Sequence, residues 1–171
     1  MMKIMFDNDF LSEFIYGGID GIITTFSIVA GSAGGSLPNI VIIVLGISNV
    51  ISDGFSMAVS RYFSAKTEIE QELLKGKNAI NSAFATFISF VLIGIIPILP
   101  FIFYKNRNIN IKISFVLSLL IFFIIGYTKG IILKMDESKK IQTGIQILLV
   151  GFTASFLAYY IGHVISLKFK I

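Results

Sequence analysis

Residues 13–31 read EFIYGGIDGIITTFSIVAG, and residues 40–60 read IVIIVLGISNVISDGFSMAVS. A helix needs about 20 apolar residues to cross the hydrocarbon core of a bilayer, and each stretch supplies them. Each also holds one aspartate, Asp20 or Asp53. A carboxylate near the bilayer interior costs roughly 2.5 kcal/mol or more, so acids kept there face the protein interior or a water-filled path and handle a cation or a proton. The two stretches together predict a membrane transporter built from helices.

The rest of the chain agrees. Of 171 residues, 55% are hydrophobic and only 14% charged, and the mean hydropathy is +0.86. A soluble domain with its usual charged surface does not reach such values. There is no cysteine, which excludes a disulfide framework, thiolate metal sites and thiol catalysis. The net charge of +4 is spread through the loops between apolar segments, a pattern that sets topology rather than contacting phosphates, so no nucleic-acid partner is expected. No nucleophile–base arrangement or phosphate-cradling loop stands out, and an enzyme is not expected. The start, MMKIMFDNDFLSEF, lacks the pattern of a cleaved signal peptide.

Segment length predicts five spans, at 14–35, 39–63, 79–104, 111–133 and 141–167, in a single transmembrane domain over 1–171. An N-terminus in the cytosol places Lys3, Arg61, Lys66, Lys75, Lys77, Lys129, Lys134, Lys139 and Lys140 inside, nine of the fourteen basic residues. The positive-inside rule favours that orientation. Asp20 then lies about 9 Å, and Asp53 about 15 Å, from the inner ends of their spans, at 1.5 Å per residue. Pro97 and Pro100 are expected to kink the third span, whose freed carbonyls must find other partners.

Residues three or four apart share a helix face, so Glu13, Tyr16, Asp20 and Thr24 form one stripe and Asn49, Asp53 and Met57 another. Across the short GGSLP turn the stripes can face each other. Carboxylate and amide oxygens suit hard divalent ions, while a thioether adds preference for softer transition metals. Ferrous iron or manganese fits that mixture. Gly17 with Gly21, Gly31 with Gly35, and Gly126 with Gly130 are small-xxx-small pairs that suit close helix packing or a dimer seam.

Other readings stay open. Asp20 could pair with Lys129, Asp53 could line a water cavity, and Met57 could be a packing residue. His163 reads as a packing or interfacial group, and Glu68, Glu70 and Glu72 as a solvated helix end.

The stretches YGGIDGIITTFSIVAGSAGGS, LGISNVISDGFSMAVSRYFSAKTE, ATFISFVLIGIIPILPF, GYTKG and GIQILLVGFTASFLAYYIG resemble, in order, the membrane segments of the vacuolar iron transporter (nodulin-like) family. The resemblance implies a five-helix homodimer that moves ferrous iron, and often manganese, out of the cytosol in exchange for protons, along a path at the dimer seam. It implies metal ligation by Asp20 and Met57, with Glu13 at the cytosolic entrance. Asn49 stands where some members carry glutamate, and Asp53 matches an aspartate of bacterial-type members that can replace that charge. Plant-type members carry a long glutamate-rich cytoplasmic domain between the second and third spans, where this chain has some fifteen residues. No resident cofactor is expected; metal and protons are the cargo. The alternatives are a non-transporting membrane regulator or partner subunit of the same fold, or a proton or monovalent-cation pathway. Richness in Ile, Lys and Asn suggests a prokaryotic plasma membrane.

Overall fold

The computed structural model describes residues 8–71 and 78–169. Lys3, Glu72, Lys75 and Lys77, which entered the sequence reading, lie outside the described residues. The elements of the described residues are all helical: α1 (Asn8–Gly34), α2 (Asn39–Glu70), α3 (Ala79–Gly94), a 3₁₀ turn (Ile96–Ile98), α4 (Leu99–Phe103), α5 (Arg107–Ile132) and α6 (Glu137–Phe169). With α3, the 3₁₀ turn and α4 forming one span, the described residues contain five helices long and apolar enough to cross a membrane.

Helix ends follow local chemistry. The Asn78 side chain accepts from the Ile80 and Asn81 amides, at 2.9 and 3.3 Å. Asn106 does the same for Asn108 and Ile109, at 3.0 and 3.2 Å, so both satisfy amides that a helix start leaves without partners. α1 ends where Ser36 turns left-handed, with φ of 57°, and the Leu37 amide reaches back to the Ser32 carbonyl at 2.9 Å, a Schellman closure. Pro38 then starts α2. Arg107 fastens this turn to α5, donating to the carbonyls of Leu37 and Ala33, each at 3.2 Å.

Several spans run beyond their sequence-predicted limits. α2 continues seven residues past 63, into the acidic segment, because apolar length reports the lipid thickness while the backbone ladder continues into water. At 32 residues it is about 48 Å long, well over the roughly 30 Å hydrocarbon core. The expected kink is present: the third span breaks between Gly94 and Leu99 around Pro97, and Ser114 of α5 donates to the Pro97 carbonyl at 2.7 Å.

α1 is the central helix. It packs along α3 and α6 and also meets α5 and α2, while α2 leans on α3 and α5 on α6. Glycine sets these crossings. A Cβ at Gly17 would lie 2.5 Å from the Thr86 carbonyl oxygen of α3, and one at Gly21 would lie 2.5 Å from that of Phe90. Further along α1, Gly31 lies against Ala158 and Gly162 of α6, and Gly126 of α5 would place a Cβ 2.6 Å from the Thr143 oxygen of α6. The small-xxx-small pairs are thus used within the chain. The core at these crossings holds Ile22, Phe26, Val29, Ile42, Phe101, Phe122 and Ile125. Much of α2 stays uncovered: Ile40, Val44, Ile51, Phe55 and Phe63 are all exposed, a surface for lipid or a second copy.

Gly21→Leu should force α1 away from α3 and cost about 2–3 kcal/mol, the range for inserting a side chain into a packed interior. A thermal unfolding midpoint measured in detergent would show the loss, whereas Phe55→Leu on the exposed face of α2 should leave it near that of the unaltered protein.

Candidate functional site

The site is assembled at the end of the bundle where α1 begins and α2 ends. A cavity of about 630 Å³ opens there between the two helices, lined by Glu13, Tyr16 and Asp20 of α1 and by Met57, Arg61 and Glu68 of α2, with Ser12, Ser60 and Ser64 at its edges. One helix face supplies the first three because their spacing is three and four residues. Met57, Arg61, Ser64 and Glu68 follow the same rule on α2.

Charge is concentrated at the mouth. Arg61 Nη2 lies 2.6 Å from Glu13 Oε1, and the same guanidinium grips Glu68 in a fork, Nη1 to Oε1 at 3.0 Å and Nη2 to Oε2 at 3.2 Å. Ser64 donates to Glu68 Oε1 at 3.1 Å. The Arg61 and Glu13 side chains are only 15% and 8% exposed. Such planar, two-pronged pairs are the strong form of the ion pair, and a shielded one is costly to break because the partner left behind keeps its charge out of water.

The expected residues divide into two groups. Asp20, Met57 and Glu13 share the cavity. Asp53 and Asn49 do not line it. Asp53 is half-buried and within electrostatic reach of Asp20, and its neighbour Gly54 packs on Phe87, Phe90 and Val91 of α3. Asn49 is half-buried, with its Nδ2 lacking a hydrogen-bond partner among the described residues. Thr24, half-buried, also lies off the cavity. Asp20 forms no ion pair with Lys129, so the purely structural pairing is not the arrangement adopted. His163 is exposed near the other end of α6 and stacks on Tyr159, centroids 6.3 Å apart, in keeping with an interfacial group.

Sequence reasoning missed the role of Arg61, counting it only as a topology charge, and read Glu68 as solvated. The signal was available: Arg61 and Glu68 are two helical turns apart on one face, and acids near a membrane pair with a neighbouring base. Glu70 does behave as a surface residue, 3.8 Å from exposed Lys66.

A carboxylate and a thioether in one polar-walled cavity suit a divalent first-row metal, the sulfur favouring the softer members. Among the described residues no three acidic or histidine side chains converge on a metal-sized site. A second hollow of about 510 Å³, between α1, α5 and α6, is walled by Phe26, Phe115, Phe152 and Phe156 and has no acid among its lining residues.

Comparison with known proteins matches the model of the VIT family to residues 11–75 and 69–163, two pieces that meet between the second and third spans. The vacuolar iron transporter of Plasmodium berghei (strain Anka) is 38% identical over 64 residues, 37% of this chain and 23% of that protein. Vacuolar iron transporter 1 of Eucalyptus grandis is 32% identical over 97 residues, 57% of this chain and 38% of that protein. Both matches span less than half the length of the relative. Vacuolar iron transporter 1 of Arabidopsis thaliana is 22% identical over 220 aligned residues, covering 92% of this chain and 87% of that protein. That alignment is longer than the 171 residues here, so the relative carries residues with no counterpart in this chain. From the extent of the family match, the chain is a multi-pass membrane protein that belongs to the VIT family.

Proposed function

We propose that this protein exports ferrous iron, and also manganese, from the cytosol in exchange for protons, as a homodimer with its N-terminus in the cytosol and a single transmembrane domain. The observation that carries the reading is the cavity between α1 and α2 whose lining includes both Asp20 and Met57. Iron transport is supported by the names of the relatives in the same family. A prokaryotic plasma membrane as host rests on composition alone, since the named relatives are eukaryotic.

In this mechanism the cavity mouth faces the cytosol, and Glu13 meets the incoming ion. Asp20 supplies a hard oxygen about 10 Å deeper, seven residues along α1 at 1.5 Å each, and Met57 of α2 a soft sulfur in the same cavity. Asp53, within electrostatic reach of Asp20, adds negative charge, and Asn49 assists one turn further along α2. The exposed apolar face of α2 is where a second copy would pack and add further ligands. Release follows from competition: protons arriving from the opposite side compete with the metal for the intramembrane carboxylates and displace it.

In liposomes with a pH gradient, Asp20→Asn should reduce ferrous-iron flux to the background of empty vesicles while the protein still elutes as a folded species; normal flux in this variant would remove Asp20 from the mechanism. No flux of iron, manganese or cobalt with the unaltered protein would favour a regulator or partner subunit instead.

Met57→Leu keeps volume and apolarity but removes the sulfur. It should lower the ratio of iron to manganese transport several-fold, because iron gains more than manganese from a soft ligand. Competition assays with both ions give that ratio directly, and an unchanged ratio would argue against thioether coordination.

A further inference from the structure

Arg61 is a cation held inside a cavity that is otherwise suited to cations. Its guanidinium lies between Glu13 of α1, at 2.6 Å, and Glu68 of α2, at 3.0 and 3.2 Å. All three side chains line the same cavity as Asp20 and Met57. Met57 is one helical turn further in than Arg61, and Asp20 is two turns beyond Glu13. An ion moving from the mouth to Asp20 therefore passes the guanidinium.

The arrangement has a clear electrostatic consequence. Among the described residues the mouth holds the Glu13 and Glu68 carboxylates and the Arg61 guanidinium; whatever else these carboxylates contact, taking the guanidinium away removes one positive charge from the path of an entering cation. A single charge about 6 Å away, one turn along the helix, alters a cation's energy at that point enough to change its local concentration about tenfold, at a dielectric between that of bulk water and of a protein surface. Arginine suits this role better than lysine: it stays charged, and its planar fork holds two carboxylates at once.

We infer that Arg61 is an electrostatic gate, a tethered cation that occupies the mouth between Glu13 and Glu68 and must swing aside, or be outcompeted at these carboxylates, for a metal ion to reach Asp20 and Met57. This deepens the transport reading, on which the word gate depends. The charge selection at the mouth is measurable without any metal flux.

The chain has no cysteine, so Met57→Cys introduces a single reporter thiol behind Arg61. Its rate of modification is measured in nanodiscs with a cationic reagent, methanethiosulfonate ethylammonium, and with the neutral methyl methanethiosulfonate. Adding Arg61→Gln should raise the cationic rate about tenfold and leave the neutral rate within about twofold, while Arg61→Lys stays close to the single variant. Equal acceleration of both reagents would mean that Arg61 is only a clamp between helices, and no change in either would mean that it does not control the mouth; both overturn the gate. Should Arg61→Gln fail to elute as a monodisperse species, Glu68→Gln decides the matter, since it leaves the guanidinium with one anionic partner fewer. It must lower the ratio of cationic to neutral rates, and an unchanged ratio overturns the proposal. Failure of the transport reading would instead appear as absent metal flux with the charge selection intact.

Discussion

The close approach of α1 to the backbones of α3 and α6 sets the rest of the structure. At Gly17 and Gly21 there is no room for a Cβ against the carbonyls of Thr86 and Phe90, and at Gly34 there is none against the Tyr159 carbonyl of α6. Lipid gives no hydrophobic drive for helices to associate, so dispersion contacts between such surfaces hold the bundle. Small polar residues extend the same principle. Thr86, Ser89 and Ser155 are buried, and their hydroxyls bond back to carbonyls of their own helices, which keeps the helix surfaces narrow without leaving donors unsatisfied.

A central α1 carries its acids into the protein rather than into lipid. α2 is fixed to it at both ends: by the tight turn at Ser36 with Arg107 on its carbonyls, and by the Arg61 pair with Glu13. Between these ends α2 rests on α3 through Gly54. The gap left between α1 and α2 is the cavity. Its depth is set by where α2 meets α3, and its charge by the groups at the mouth.

The fold was legible because apolar runs of membrane-spanning length have one economical conformation in lipid, the helix, where every backbone group finds a partner. The limits were less so. α2 runs on to Glu70 and α6 starts at Glu137, where water can solvate the outer turns and hydropathy says nothing about hydrogen bonding. Within the site, Glu13, Asp20 and Met57 were legible from intramembrane acidity and helical spacing. Asn49 and Asp53 share a stripe with Met57, but a stripe does not say which neighbour it meets. Here α3 takes the part of α2 around Gly54, and only Met57 and the residues beyond it reach the cavity. Arg61 escaped notice because a basic residue near a span end is ordinarily counted for topology, and Glu13, its partner on α1, is far away in sequence.

The central claim is that Asp20 and Met57 hold the same metal ion. The most direct measurement is X-ray absorption at the iron edge on the purified protein loaded with ferrous iron, beside its Met57→Leu and Asp20→Asn variants. Expected are a mixed shell with a sulfur neighbour in the unaltered protein, loss of the sulfur in Met57→Leu, and loss of bound iron in Asp20→Asn. A shell of oxygen and nitrogen alone in the unaltered protein, or iron retained unchanged without the Asp20 carboxylate, would contradict it.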